Sequence, residues 1–180
     1  MRAVTLLLSA SLACFATGAE AAARRIALAP PQAEVTFRAY GLGLVPLDGR
    51  FARFSGWLTY DPDDHANCHV DLNADVASLA MEDASVRETV VGPDFMDAPR
   101  FPTLVYAGSC QLQGLDGMLG LHGVTRPFAL SLTWSPGRVV AQGELRRAEW
   151  GMTAMPFVAG RTVRIVVSVP LAEPAPATRN

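Results

Sequence analysis

The chain contains no lysine, and all fifteen of its basic residues are arginine. They form no run, and against seventeen acids they leave a formal charge of −2. A near-neutral chain without a basic cluster gives no reason to expect nucleic acid or an anionic lipid surface as a partner. Cysteine is scarce, with three residues in 180. No apolar run reaches the roughly 20 residues that a membrane-spanning helix needs. There is no internal repeat. The Gly-x-Ser-x-Gly elbow, His-Glu-x-x-His, the phosphate-cradling glycine loop and the dinucleotide fingerprint are all missing, so the enzyme classes they mark have no support here.

What is present begins with the N-terminus. Arg2 precedes an apolar stretch from Val4 to Phe15, and the small residues Thr17-Gly18-Ala19 and Ala21-Ala22-Ala23 follow. This is the layout of a secretory signal peptide. Cleavage is expected at Ala19, Ala21 or Ala23, with Ala23 favoured, so residues 1–23 are read as a removed leader and the periplasm as the destination. A retained anchor is the alternative. A lipoprotein signal ending at Cys14 fits poorly, because Ser11 stands where leucine is usual. The remainder is one domain's worth of chain. Half of all residues are hydrophobic, which suits a globular domain. Glu173 to Asn180 is rich in proline and alanine and reads as a disordered tail.

Cys68 and Cys110 remain after cleavage. An even pair in an exported chain is a disulfide candidate. Each shares the apolar parity of its strand. Two buried free thiols are the alternative, since distance is not legible in sequence.

Period two dominates the rest. Val35, Phe37 and Ala39 alternate with polar residues, as do the apolar residues from Val70 to Val76; Phe128 to Trp134 alternate with Ala129, Ser131 and Thr133, and Val163 to Val169 with Arg164 and Ser168. Less regular strands are expected at 51–60, 103–113, 116–122 and 138–147. Turn signals stand at Leu47-Asp48-Gly49, Asp61-Pro62-Asp63, Leu115-Asp116-Gly117 and Ser135-Pro136-Gly137. Only 81–91 reads as helical, with Glu82 and Asp83 at its start and Gly92-Pro93 at its end. A second short turn covers Asp94 to Asp97. The class is therefore all-β, about eight strands with one or two short helices. Such strands form a sandwich or a closed barrel, and periodicity alone does not choose. Parity places Phe37, Phe54, Trp57, Leu72, Leu104, Tyr106, Leu121, Leu130, Leu132, Trp150, Met152, Ile165 and Val167 on the inward side. For each of these, plain core is the simpler account than ligand contact.

Several segments resemble one known family. Phe37 is followed by Gly41, Gly43, Gly49-Arg50-Phe51 and Phe54-Ser55-Gly56. Arg87 precedes Asp94-Phe95-Met96-Asp97-Ala98-Pro99-Arg100-Phe101-Pro102. Then come Gly120-Leu121-His122-Gly123-Val124-Thr125-Arg126-Pro127 and Arg147-Ala148-Glu149-Trp150-Gly151-Met152. Together, over roughly residues 33 to 171, they resemble the YceI-like family of exported lipid-binding proteins. The resemblance implies a lipocalin-like eight-stranded antiparallel β-barrel over residues 24–172. It also implies an apolar lumen holding a polyisoprenoid chain, such as a polyprenyl phosphate precursor or a quinone-like molecule, with no cofactor and no catalysis. Some relatives are associated with cytochrome b561-type membrane proteins, which suggests such a partner. Met96 stands where a second Phe is usual, and the Cys68/Cys110 pair is not general to the family.

The polar candidates follow from this. His122 is a candidate for a head group or a general base, against a role in stabilising its own turn. Arg126 and Arg147 suit a phosphate or ring oxygen, against a surface salt bridge such as Arg147 with Glu149. His65, Cys68, His69 and Asp71 are metal-ligand types, but the strand parity points Cys68 inward and His69 and Asp71 outward, so no metal site is expected. Asp94 and Asp97 read as caps of a turn, not as an acid/base pair. A carrier requires an unfilled lumen, where each buried CH₂ gains about 0.8 kcal/mol. An interaction module docking on a membrane partner predicts a self-filled interior and an exposed apolar patch. An enzyme predicts a nucleophile and base in the cavity. The oligomeric state is left open, a homodimer included.

Overall fold

The computed structural model describes residues 23–111 and 114–171. The expected leader, apart from Ala23, and the expected tail lie outside the described residues. Eleven strands are found: β1 (Arg24–Ala27), β2 (Glu34–Gly41), β3 (Val45–Phe51), β4 (Phe54–Tyr60), β5 (Cys68–Asp75), β6 (Leu79–Met81), β7 (Thr103–Gln111), β8 (Gly114–Leu121), β9 (Val124–Ser135), β10 (Arg138–Arg146) and β11 (Thr162–Pro170). Helix α1 (Ala84–Val91) lies between β6 and β7, and short 3-10 turns occupy Val76–Ser78 and Arg147–Trp150.

Sequence alternation becomes burial alternation. In β7, Leu104, Tyr106, Gly108 and Cys110 are buried while every residue between them is exposed. The strands pair antiparallel in the order β1-β4-β5-β7-β8-β9-β10-β11-β2-β3-β6. This sheet curls strongly, because β3 and β4 lie near its opposite ends yet only Ala52 and Arg53 separate them in the chain. The chain bends at that point and again at Val76–Ser78, and the two bends share a corner. The Ala52 N–H donates to the Ser78 carbonyl at 3.1 Å, and the Asp75 N–H donates to the Arg53 carbonyl at 3.0 Å. The Ser78 hydroxyl accepts from the Arg53 N–H at 3.0 Å and donates to the Asp75 carbonyl at 2.6 Å, so the buried corner leaves its polar groups paired.

The expected eight-stranded barrel is thus corrected to a curled sheet of eleven strands. Three strands were hidden for separate reasons. β1 is a short segment directly after the leader. β6 merges in sequence with the start of the helix, which begins at Ala84 and not at 81. β3 contains Asp48-Gly49, read as a turn. Within β3, Asp48 pairs with Arg38 and Gly49 with Phe37. The Asp116-Gly117 signal is corrected in the same way: both residues lie inside β8, opposite Ser109 and Gly108. Space explains both glycines. A Cβ on Gly49 would stand 2.4 Å from the Phe37 ring, and one on Gly117 would stand 2.6 Å from the Tyr106 hydroxyl. That hydroxyl donates to the Phe128 carbonyl at 3.1 Å, and burial, with the charge of Asp116 second, pushes its pKa up to about 12.

Cys68 and Cys110 are joined by a disulfide, with Cα atoms 4.9 Å apart. The pairing of His69 with Ser109 in the β5–β7 ladder places the two cysteines side by side. Helix α1 buries no residue completely. The Asp83 carboxylate accepts from the Ser85 and Val86 N–H groups at its start. Arg87 donates to the carbonyls of Leu79 and Ala77, at 2.6 and 2.7 Å, and so ties the helix to β6.

Candidate functional site

The inner face of the curled sheet does not fill its own interior. A cavity of about 380 Å³ remains, within the range of small-molecule sites. Its wall is drawn from every strand from β2 to β11 except β6, together with Val86, Thr89 and Val90 of α1 and with residues of the 152–160 loop. Ten of the thirteen inward candidates line it: Phe37, Leu72, Leu104, Tyr106, Leu121, Leu130, Leu132, Met152, Ile165 and Val167. Phe37, Leu132, Ile165 and Val167 are only partly buried although they pack on the core, because they front the void.

Three candidates do not line the void. Phe54 is buried beside the corner, and Trp150 is 1% exposed with its indole N–H donating to the Leu119 carbonyl, so both belong to the packed core. Trp57 is a correction. It is 44% exposed on the outer face, with the Arg25 guanidinium 4.0 Å above its ring. In β4 the buried side chains are Phe54, Leu58 and Tyr60, and Trp57 has the opposite parity. Apolar character suggested the wrong face because an aromatic ring is also well accommodated outside when a cation covers it.

The polar candidates separate clearly. Arg147 is buried and lines the cavity. Its Nε donates to the Gly160 carbonyl at 2.8 Å, Nη1 to Met152 at 2.5 Å, and Nη2 to Ala159 at 3.1 Å and Met155 at 3.5 Å. Burial pulls its pKa below the ordinary arginine value. Among the described residues it makes no ion pair, with Glu149 or any other carboxylate. In place of the alternative surface salt bridge, Arg147 is a cation held in a cradle of backbone carbonyls. His122 does not line the void. It has φ of 51° and Gly123 has 73°, the two left-handed residues of a tight β8–β9 hairpin. Its Nδ1–H donates to the Trp150 carbonyl at 2.9 Å. Arg126 is exposed on β9, away from the cavity.

The remaining chemistry-bearing residues are dispersed or engaged. Cys68 is in the disulfide, His69 contacts Asp71 at 3.1 Å, and His65 stacks on Trp134 with ring centroids 4.1 Å apart. In the Asp94–Asp97 turn it is the Asp97 backbone carbonyl that accepts from Arg100 and Phe101. Within the cavity wall, Thr36, Thr89 and Tyr106 each spend their hydroxyl on a backbone carbonyl. What the walls offer is apolar contact with one cation at the edge. Sequence reasoning missed Val86, Val90, Met155 and Val158 as wall residues. The loop pair carries no periodicity to read, and the helix is too weakly amphipathic to declare a face.

Comparison with known proteins gives this architecture a family. The sequence model of the YceI-like domain matches residues 27–171. A UPF0312 protein of Vibrio cholerae is 32% identical over 106 residues, covering 55% of this chain and 56% of the relative, so the chain spans just over half that relative's length. Among solved structures, Burkholderia cenocepacia BcnA superimposes with a TM-score of 0.63 at 20% identity, over 78% of this chain and 96% of BcnA. A polyisoprenoid binding domain from Saccharophagus degradans gives 0.56 at 14% identity, over 82% of this chain and 98% of that domain. At these identities the structural likeness is one of fold. With the match reaching from the end of β1 to the residue after β11, the chain belongs to the YceI-like domain family.

Proposed function

We propose that this protein carries an apolar, isoprenoid-type lipid in the cavity of its curled sheet, in the periplasm after removal of its leader. The observation that carries the proposal is the 380 Å³ void, walled by aliphatic and aromatic side chains. Closing such a void with the protein's own side chains would have been the stable solution for a purely structural domain, because interiors otherwise pack without gaps. A prenyl chain gains by leaving water for this surface, at about 0.8 kcal/mol per CH₂. The binding of a polyisoprenoid by the related Saccharophagus domain supports the same class of ligand.

Arg147 is the proposed head-group contact. Four of its five N–H groups are met by carbonyls, which leaves one on Nη1 for a ligand oxygen. A phosphate or a quinone carbonyl is the chemistry it suits. A self-filled interaction module is disfavoured by the same void.

The test is native mass spectrometry of protein recovered from its own periplasm, followed by organic extraction. A stoichiometric species with a ladder of isoprene units is expected. Ala141→Phe, which projects a ring into the void from β10, should retain the fold and lose the bound species. Clean protein that also takes up no added polyprenyl lipid would refute the proposal.

A further inference from the structure

The large apolar wall residues most open to solvent lie together at one end of the cavity. Tyr40, Met155 and Val158 are each about half exposed, whereas the opposite end is walled by buried Leu28, Cys68, Val139 and Val169. The mouth is therefore the end where the β2–β3 turn meets the loop after Trp150. Backbone bonds fuse these two segments. The Leu42 N–H donates to the Val158 carbonyl at 2.7 Å, the Gly160 N–H donates to the Tyr40 carbonyl at 2.7 Å, and Gly41 bridges Ala159.

The tips of both segments are apolar and point away from the protein. Phe157 is 92% exposed and Leu44 is 85% exposed, with Leu42, Val45, Met155 and Val158 between half and two-thirds exposed or close to it. Residues 40–46 and 152–160 contain no charged residue. Leu42 and Met155 hold φ of 50° and 48°, a left-handed conformation that glycine or asparagine adopts at lower cost. Folding thus gains nothing from an exposed Leu and Met at these two turns. Exposed apolar side chains gathered around a cavity mouth mark a contact surface.

Charge identifies the occupant. Arg146 and Arg161 are exposed at the base of the loop and border a groove shared with Thr153 and Pro156. Neither forms an ion pair among the described residues, whereas the neighbouring acids Asp48 and Glu144 are neutralised by Arg38 and Arg164. Only Glu149 adds a carboxylate between residues 145 and 163. The rim therefore presents apolar tips flanked by free guanidinium groups, the complement of a lipid surface with anionic head groups. The overall charge of −2 conceals this local arrangement.

We propose that the cavity mouth docks on an anionic lipid bilayer, with Leu42, Leu44 and Phe157 entering the interface and Arg146 and Arg161 meeting the head groups. The use of this contact, passage of a prenyl chain between bilayer and cavity without exposure to water, rests on the carrier reading. The contact itself does not.

The experiment is co-sedimentation of the protein recovered from its producing cell with vesicles of phosphatidylethanolamine alone or with phosphatidylglycerol, every variant carrying the same N-terminus. The wild type should pellet with the anionic vesicles and be released in part by salt. Leu44→Ser with Phe157→Ser should weaken sedimentation about tenfold or more with an unchanged unfolding midpoint, since both side chains are exposed. Arg146→Gln with Arg161→Gln should remove the preference for phosphatidylglycerol. Ala141→Phe should still pellet while losing ligand, which separates docking from carriage. Wild type that stays in the supernatant, or a Ser double variant that pellets like wild type, overturns the proposal. So does self-association that depends on Phe157, which would make a second copy the occupant.

Discussion

Arg147 concentrates most of what a single residue does in this protein. It links the 3-10 turn after β10 to four carbonyls of the loop that borders the cavity mouth, and among the described residues no carboxylate neutralises it. Removing the guanidinium leaves several carbonyls unpaired in a buried place, at about 1–3 kcal/mol for each that finds no water. Arg147→Met should therefore lower unfolding stability in urea by about 3 kcal/mol and release the mouth loop to proteolysis. A loss below about 1 kcal/mol would show that the cradle re-pairs without it. The sequence marked Arg147 as functional but placed its alternative role on the surface. Burial of the cation is decided largely by the carbonyls of Ala159 and Gly160, twelve and thirteen residues on, and nothing beside Arg147 announces them. Trp57 shows the reverse error, since its facing depends on parity set by Leu58 and Tyr60 and on Arg25 across the β1–β4 pair.

At the level of elements, α1 is the piece with least of its own to hold it. It buries no residue completely and rests on the Asp83 cap, on Arg87 and on the backbone bonds of Met96 and Ala98 to Val90 and Val91. The Ser85 hydroxyl and the N–H groups at the helix start hold the Asp83 carboxyl below its ordinary value of 3.8. Because the folded pKa is depressed, this contribution is complete above the unfolded value and is lost as pH falls through the folded one. The hydrogen-exchange protection of residues 84–91, corrected for the intrinsic pH dependence of exchange, should fall on acidification below about pH 4, ahead of the strand core. Asp83→Asn keeps a capping oxygen and should flatten that acid dependence. An unchanged profile would assign it to other carboxylates, of which Asp75 is depressed by Arg53 and Asp48 by Arg38. The helix and the acids at its start were legible because they are local. The start of the helix was not, since Leu79–Met81 becomes a strand only by pairing with β3.

For the whole molecule, the disulfide acts on the ladder that already brings its ends together. It spans 42 residues of chain that include β5, the corner, β6, α1 and most of β7. Closing a loop of that length in the unfolded chain corresponds to about 4 kcal/mol in the entropic account. Cys68→Ser with Cys110→Ser should lower unfolding stability by that order while leaving the strand content unchanged, because the β5–β7 register does not depend on the bond. A variant that loses strand signal in native buffer would show that the bond sets the register. The free edges of the sheet are short, four residues in β1 and three in β6, which limits pairing with other chains.

By itself the sequence determined the all-β class, most of the strand parity, the presence of the helix and the family, since each rests on alternation, on neighbouring residues or on short runs. Asp48-Gly49 and Asp116-Gly117 carried turn chemistry, but the rings of Phe37 and Tyr106 across the sheet required those glycines inside strands. Tertiary structure alone decided where the chain bends at Ala52-Arg53, that the inner face stays unfilled, and that two uncharged loops far apart in sequence meet at its mouth. The physical reason is common to all three. A void, a corner and a rim are made by residues from many strands at once, and period-two alternation specifies which face a side chain occupies without specifying what stands opposite it.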